Sequence, residues 1–374
     1  MSPPPFDFFT LHTFPIYKAP RSMSVLLYGA YGYTGRLIAR EAVAQGLSPI
    51  LAGRRPEPLN EMADALGTPV RVGDLTAPRR VRAMLDDVTA VLHCAGPYVH
   101  TGPPMVDACL ETGTHYLDLT GEMDVFRDLT TRDAEAREAG AMVLPGIGFD
   151  VVPSDCLGTF VADRVPEATT LEVALFAQGT VSQGTLKTLI EQMGRGGLVR
   201  RAGALREVPP GWARRTVDFG DRERSVLSIP EGSVVTSGYS TDVPNATAYL
   251  ALPPIVQSVL RASRYVRGLL SWGPVKSLLK RLVELGPPGP TPDQRRQGRT
   301  VVWASARRPD GERATARLHG PEAYTFTARA AVAALQRILD GTAPPGYQTP
   351  ATAFGTDFVL DVQGTERTLV AASS

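Results

Sequence analysis

Gly29, Gly32 and Gly35, followed by the adjacent pair Arg54-Arg55, are the residues whose types and spacing specify chemistry most directly. Gly29 lets the chain turn sharply, Gly32 lets the backbone approach a bulky anion, and Gly35 lets a helix pack close to the preceding strand. Free N–H groups at the start of such a helix, aided by its dipole, hold a pyrophosphate. Tyr31, Tyr33 and Thr34 complete that loop. Enzymes that use NAD place an acid about 20 residues past the glycines, where it grips the ribose 2′-hydroxyl. Here the position reads Gly53-Arg54-Arg55, with no carboxylate before Glu57. Two guanidinium forks suit a 2′-phosphate and offer nothing to a bare hydroxyl. The expected cofactor is NADP(H).

Hydride chemistry also needs a fixed nicotinamide and a proton donor or anion stabiliser near the acceptor. Three residues are catalytic candidates: Tyr98 in the run Ala95-Gly96-Pro97-Tyr98, and His115 and Asp118 on the next strand. Tyr98 would donate a proton or wall the ring, unless it is a packed aromatic with a satisfied hydroxyl. His115 titrates near neutrality when unperturbed, at about 6.5. Asp118, with Glu122 beyond it, would hold a water or hydroxyl. The plainer readings are a half-buried histidine that orients a loop and an aspartate that caps a helix. Cys156 has no adjacent His or Gln and reads as a buried structural thiol. Asp150 and Asp155 bracket a crossover, with Ser154 or Asp155 read as a helix cap and the loop as a hinge. Ser182-Gln183-Gly184-Thr185 precedes a helix and fits either an anionic substrate group or plain capping. No cysteine or histidine spacing fits a metal, so no metal site is expected.

These groups need a scaffold that gathers loops. Between Met23 and Asp155, short apolar runs at 25–28, 50–52, 70–72, 90–94, 115–119 and 141–144 alternate with helical stretches, including 78–85, 104–111 and 125–139. Repeated β-α units of this length predict an α/β fold: a Rossmann-type parallel sheet with helices on both faces, over 23–155. Ligands bind beyond the carboxyl ends of such strands. That rim carries Gly29, Gly53, Asp74, Ala95, Gly96, Pro97 and Asp118. Asp74, Ala95, Gly96 and Pro97 therefore join the expected cofactor residues. A second, mixed α+β substrate domain is expected over 156–320. It holds a strand at 170–176 and a hairpin turning at Pro309-Asp310-Gly311. Residues 321–374 begin with an alanine-rich helix, and residues 1–22 read as a disordered tail.

Residues 254–284 form an amphipathic segment. Ile255, Val256, Val259 and Leu260 alternate with Arg261, Arg264 and Arg267, and a second stretch beyond Gly273-Pro274 carries Lys276, Lys280 and Arg281. The default is a pair of core-facing helices with solvated basic faces. The sharper reading is a lid over an apolar pocket, its basic face docking an acidic carrier domain or an anionic membrane.

Composition narrows the classes. At 374 residues two domains are expected, and a net charge of +1 gives no field to recruit nucleic acid. Three cysteines, an odd number, argue for reduced thiols in a cytoplasmic setting over a disulfide framework. No run of about 20 apolar residues is present to span a bilayer.

The blocks GAYGYTGRLIA (29–39), LAGRR (51–55), CAGPYVHTGPPMVDACLETGTHYLDLTGE (94–122), PGIGFDVVPSD (145–155), SQGT (182–185) and TPATAFG (349–355) resemble the saccharopine dehydrogenase-like NADP oxidoreductases, trans-acting enoyl reductases among them. The resemblance implies a nucleotide domain, a mixed substrate domain and a C-terminal segment packing back on the first. It carries the family's glycine loop onto Gly29, Gly32 and Gly35. The phosphate-binding arginine falls on Arg54 or Arg55, and the Gly-Pro-Tyr loop on Gly96, Pro97 and Tyr98. Tyr31 departs from the family's small residue, so its ring must swing away from the phosphates or stack on them. The implied activity is NADPH-dependent reduction of an enoyl thioester, free or acyl-carrier-bound. An imine or amino-acid reductase, drawing on Arg195, Arg200 and Arg201, is the enzymatic alternative, and an NADPH-binding sensor or lipid-surface protein without turnover is the other class. A homodimer is compatible with all of these.

Overall fold

The computed structural model describes residues 23–193, 196–262, 265 and 272–373. Seven strands form one all-parallel sheet: β1 (Val25–Tyr28), β2 (Ile50–Gly53), β3 (Val70–Val72), β4 (Ala90–His93), β5 (His115–Asp118), β6 (Met142–Leu144) and, much later, β15 (Gly346–Tyr347). Their order is β15-β6-β5-β4-β1-β2-β3. The chain reverses its direction of travel across the sheet between β3 and β4, the switch point where such folds bind ligands. Side chains alternate between two cores. Val25 and Leu27 face one apolar layer, Leu26 and Tyr28 the other, which is why these strands read as unbroken apolar runs.

The connecting helices are α1 (Tyr33–Ala44), α2 (Pro56–Leu66), α3 (Pro78–Met84), α4 (Tyr98–Thr112), α5 (Met123–Thr130) and α6 (Asp133–Glu138). Two differ from the sequence expectation. Helix α4 starts six residues early because the Glu122 carboxylate accepts the N–H groups of Tyr98 (2.8 Å) and Val99 (2.9 Å) and so fixes its first turn. The single helix expected at 125–139 is two, broken at Thr131-Arg132.

Helix α7 (Val152–Ala162) crosses to a second, mixed sheet and is buried on almost every side. That sheet contains β7 (Thr170–Gln178), β8 (Gly197–Arg201), β9 (Ala204–Val208), β10 (Arg214–Asp218), β11 (Glu223–Ser228), β12 (Asn245–Ala251), β13 (Arg299–Arg307), β14 (Arg313–Pro321) and β16 (Glu366–Ser373). Around it lie α8 (Gln183–Gln192), α9 (Ser233–Ser240), α10 (Pro254–Ala262), α11 (Gly273–Glu284), α12 (Pro292–Gln297), α13 (Ala323–Leu339) and α14 (Pro350–Phe354). The alanine-rich α13 returns to pack on α1, and β15 then extends the first sheet beyond β6. Small side chains allow that close approach, and one apolar core runs continuously from the first sheet through α7 and α13 to the second.

Asp155 ties three of these elements together and is not a cap, since α7 begins at Val152. Buried, it accepts from Ser240 Oγ (2.6 Å) in α9 and from the Ala351 N–H (2.8 Å) in α14. An alanine here orphans the Ala351 N–H and removes charge-assisted bonds. D155A is expected to unfold in urea with about 2–4 kcal/mol less stability.

Candidate functional site

The glycine loop makes a cradle with no room for side chains. Gly29 has φ +83°, and a Cβ there would stand 2.8 Å from the Ala95 Cβ. A Cβ on Gly35 would stand 2.4 Å from the Gly29 carbonyl oxygen, so α1 leaves the strand at backbone contact. Gly32 precedes α1 without a side-chain cap, which leaves the N–H groups of Tyr33, Thr34 and Gly35 directed outward from the helix start. The residues fit a pyrophosphate here: the donors are backbone, the dipole has the right sign and the approach is open.

Around this cradle the structure gathers residues from three strand ends: Gly53 and Arg55 at the end of β2, Asp74 after β3 and Ala95 after β4. Tyr31 swings away from the phosphate position and lies on Gly53, where a Cβ would come within 2.7 Å of its ring. The Arg55 guanidinium stands 4.8 Å from the centre of the same ring, while Arg54 and Arg55 are both exposed beyond β2. Asp74 accepts from the Thr76 N–H (2.8 Å), which holds its carboxyl below the usual range. The Gly96–Pro97 peptide beside Ala95 is cis. Tyr33, first residue of α1, is fastened from the second half: its hydroxyl donates to the Pro290 carbonyl (2.6 Å) and accepts from Arg295 Nη1 (2.9 Å).

The three catalytic candidates are placed differently. Tyr98 is buried, its ring edge-on to His93 at 5.4 Å, and burial pushes its phenol well above the usual value. His115 begins β5, so it lies at the amino end of the sheet, opposite the glycine loop, with Nδ1 accepting from the Met142 N–H (3.0 Å). Asp118 does end at the rim, but it is fully buried and clamps two loops. It accepts from the N–H groups of Thr120 (2.9 Å) and Gly146 (2.8 Å) and from the Tyr116 hydroxyl (2.7 Å). Burial raises its pKa to about 6 against those bonds. Helix capping of the next element is not its task. Glu122 is likewise occupied by the start of α4.

A carboxylate that sequence reading placed only at a crossover takes the position those three leave. Asp150 follows β6 at the carboxyl rim, is open to solvent, and brings Oδ2 within 3.2 Å of where a Gly121 Cβ would stand. Desolvation by the surrounding protein raises its pKa. Beneath it Glu231 is buried, accepting from Ser233 N (3.0 Å) and Ser154 Oγ (3.1 Å). Burial first, and the Asp150 charge after it, push Glu231 up to about 8. Tyr324, second residue of α13, faces Tyr33 edge-on at 5.1 Å, and its hydroxyl accepts from the Ser182 N–H (2.6 Å). Ser182 itself accepts from the Thr185 N–H (3.2 Å), so this loop caps α8. Glu231 and Tyr324 carried no motif; a lone acid inside the apolar run around Ile229-Pro230 was the available signal. Cys156 is buried, its thiol pushed up by desolvation, as a structural thiol should be.

Arg200 turns inward onto the carbonyls of Val234, Val235 and Gly203, and Arg201 onto Thr247. Arg195, Arg264, Arg267 and residues 1–22 lie outside the described residues. Among the described residues no cluster of His, Cys, Asp and Glu fits a metal, and no helix is long and apolar enough to cross a membrane.

Comparison with known proteins bears on this geometry. Residues 25–144 match the saccharopine dehydrogenase NADP binding domain. A trans-acting enoyl reductase of Mycobacterium leprae is 35% identical over 189 residues, covering 46% of this chain and 45% of that protein. One from Mycobacterium ulcerans is 33% identical over 191 residues, covering 47% and 46%. The similarity thus spans just under half the length of these curated relatives. The saccharopine dehydrogenase (L-Glu forming) of Saccharomyces cerevisiae superposes with a TM-score of 0.64 at 13% identity, over 93% of this chain and all of that one, which establishes a shared fold. The glycine cradle, the Arg54-Arg55 pair and strands β1 to β6 all lie within the segment that is similar to the saccharopine dehydrogenase NADP binding domain.

Proposed function

We propose that this protein is an NADPH-dependent reductase acting on an enoyl thioester carried by coenzyme A or an acyl carrier. The carrying observation is the cradle that ends in exposed Arg54 and Arg55, with no carboxylate at the end of β2 to hold a 2′-hydroxyl. When bound, the dinucleotide supplies hydride. The chain's own residues do the rest. Gly29, Gly32 and Gly35 admit the pyrophosphate, Arg54 and Arg55 hold the 2′-phosphate, and Tyr33, pinned by Pro290 and Arg295, fixes the loop. Asp150 would deliver a proton to the α-carbon of the thioester enolate left after hydride reaches the β-carbon. The names of the mycobacterial relatives support the enoyl acceptor.

An imine or amino-acid substrate calls for arginines facing the cleft, and Arg200 and Arg201 are engaged with the protein itself. A sensor without turnover is disfavoured by Asp150, an accessible acid at the rim. The test is titration with NADPH and NADH, then NADPH oxidation against enoyl thioesters and imines. R54A/R55A is expected to weaken NADPH about 10–100-fold and leave NADH nearly unchanged. Equal loss for both nucleotides would remove the 2′-phosphate assignment. Turnover of imines alone would transfer the reading to the alternative.

A further inference from the structure

Helices α10 and α11 are turned inside out. Helix α10 is fixed to the protein by a polar residue: Gln257 is buried, donating from Nε2 to the carbonyls of Ser225 (3.0 Å) and Leu252 (2.8 Å) and accepting at Oε1 from Ser225 Oγ (3.2 Å). At the helical repeat, Ile255 and Val259 lie on the side opposite Gln257, with Val256 beside them. Ile255 is 74% exposed and Val259 63%. Helix α11 repeats the arrangement. Its lysines face inward, Lys276 donating to the Glu191 carbonyl (2.6 Å) and Lys280 pairing with the Glu191 carboxylate. Leu278 and Leu282 point out, 59% and 55% exposed, and Leu285 follows just past the helix end. A surface helix of a globular domain ordinarily does the reverse. The core-facing helices with solvated basic faces expected from sequence are therefore not what forms, and an apolar helix face exposed in this way marks an interaction surface.

Charge identifies the occupant. Residues 254–284 carry Arg261, Arg264, Arg267, Lys276, Lys280 and Arg281 against one acid, Glu284, which pairs with Lys187. With both lysines held by Glu191, the arginines among the described residues are the cations left over. Arg281 is exposed beside the apolar residues of α11, and Arg261 is exposed in the last turn of α10 with its stem against Gly211. We propose that α10 and α11 dock this protein on an anionic lipid bilayer, the outward Ile, Val and Leu side chains entering the interfacial layer and the arginines meeting headgroup phosphates. The helices lie on the surface and do not cross it, being 9 and 12 residues long. Beyond α11 the chain runs straight to the nucleotide cradle, where the Pro290 carbonyl accepts from Tyr33. Docking and cofactor loop are thus neighbours along one covalent path. The inference does not depend on what the cleft reduces.

The test is flotation of the full chain with vesicles of phosphatidylcholine alone and with added phosphatidylglycerol. Binding is expected only to the anionic vesicles, and it should weaken as salt rises. I255S/V259S and L278S/L282S are each expected to lower the partition coefficient about tenfold or more. Arg281→Ala should lower it roughly fivefold. Thermal midpoint and NADPH affinity of the serine variants serve as checks on folding, since the substituted residues are exposed. Absence of binding by the parent chain, or binding indifferent to both serine pairs, overturns the proposal. So does a dimer in light scattering that the serine pairs dissociate without any vesicle binding, because the surface would then join two copies. Capture of an acidic carrier domain in place of vesicles would overturn it equally.

Discussion

D150N is expected to lower kcat by about 10²–10⁴-fold, the range for loss of a positioned general acid. NADPH affinity should stay unchanged, because Asp150 stands after β6 and away from the glycine cradle. The pH dependence provides a readout that a structural role would not move. A proton donor must be protonated to act, and the surroundings of Asp150 raise its pKa. Turnover by the parent enzyme should therefore fall as pH rises past that raised value. The asparagine variant should lack this alkaline limb. Steady-state rates across a pH series check both statements, and a variant with full kcat and an unaltered limb would exclude Asp150 from proton transfer.

G35A is the second large expectation. A single methyl group would meet the carbonyl oxygens of Gly29 at 2.4 Å and Ala30 at 2.9 Å, and both are backbone atoms that no rotamer change can clear. Relief requires α1 to lift from β1, which moves the N–H groups at the helix start with it. Overpacking of this kind costs about 1–3 kcal/mol in stability. The displaced donors should weaken NADPH by about 100-fold, since bonds to charged groups are individually worth about 1.5–3 kcal/mol. Isothermal titration beside a urea melt separates the two losses. An alanine variant that binds NADPH normally would mean that the helix start does not hold the pyrophosphate.

The cradle was legible in the sequence because its chemistry is local. Turn, approach and helix start all depend on glycines within seven residues, and the strands on either side are apolar runs. Tyr31 was legible as a problem, and its solution, a ring laid on Gly53, needed the neighbouring strand. Catalytic groups fared otherwise. Periodicity assigned His115 to a face, but position along the strand decides the end, and the first residue of a parallel strand is at the wrong one. Tyr98 and Asp118 occupy the right loops with their polar atoms turned to backbone or core. Asp150 and Glu231 are 81 positions apart and meet only because the second half folds over the first. Residues 254–284 teach the same lesson. Their amphipathic pattern was visible, yet which side faces inward is settled by partners outside the segment, Ser225 for Gln257 and Glu191 for the two lysines.

The return of α13 and β15 to the first sheet also bears on how the molecule comes into being. The nucleotide-binding half is not finished when residue 144 has been made. Its α1 face waits for α13, and β6 keeps an unpaired edge until Gly346 donates to the Ala141 carbonyl (2.9 Å) and Gln348 to that of Val143 (2.9 Å). At about 5–20 residues per second, roughly 10–40 s of translation pass between these partners. During that interval a nascent chain shows the ribosome tunnel's exit an apolar helix face and a bare strand edge. Completion is vectorially delayed: the half that carries the glycine cradle is closed only by residues made about 200 positions later.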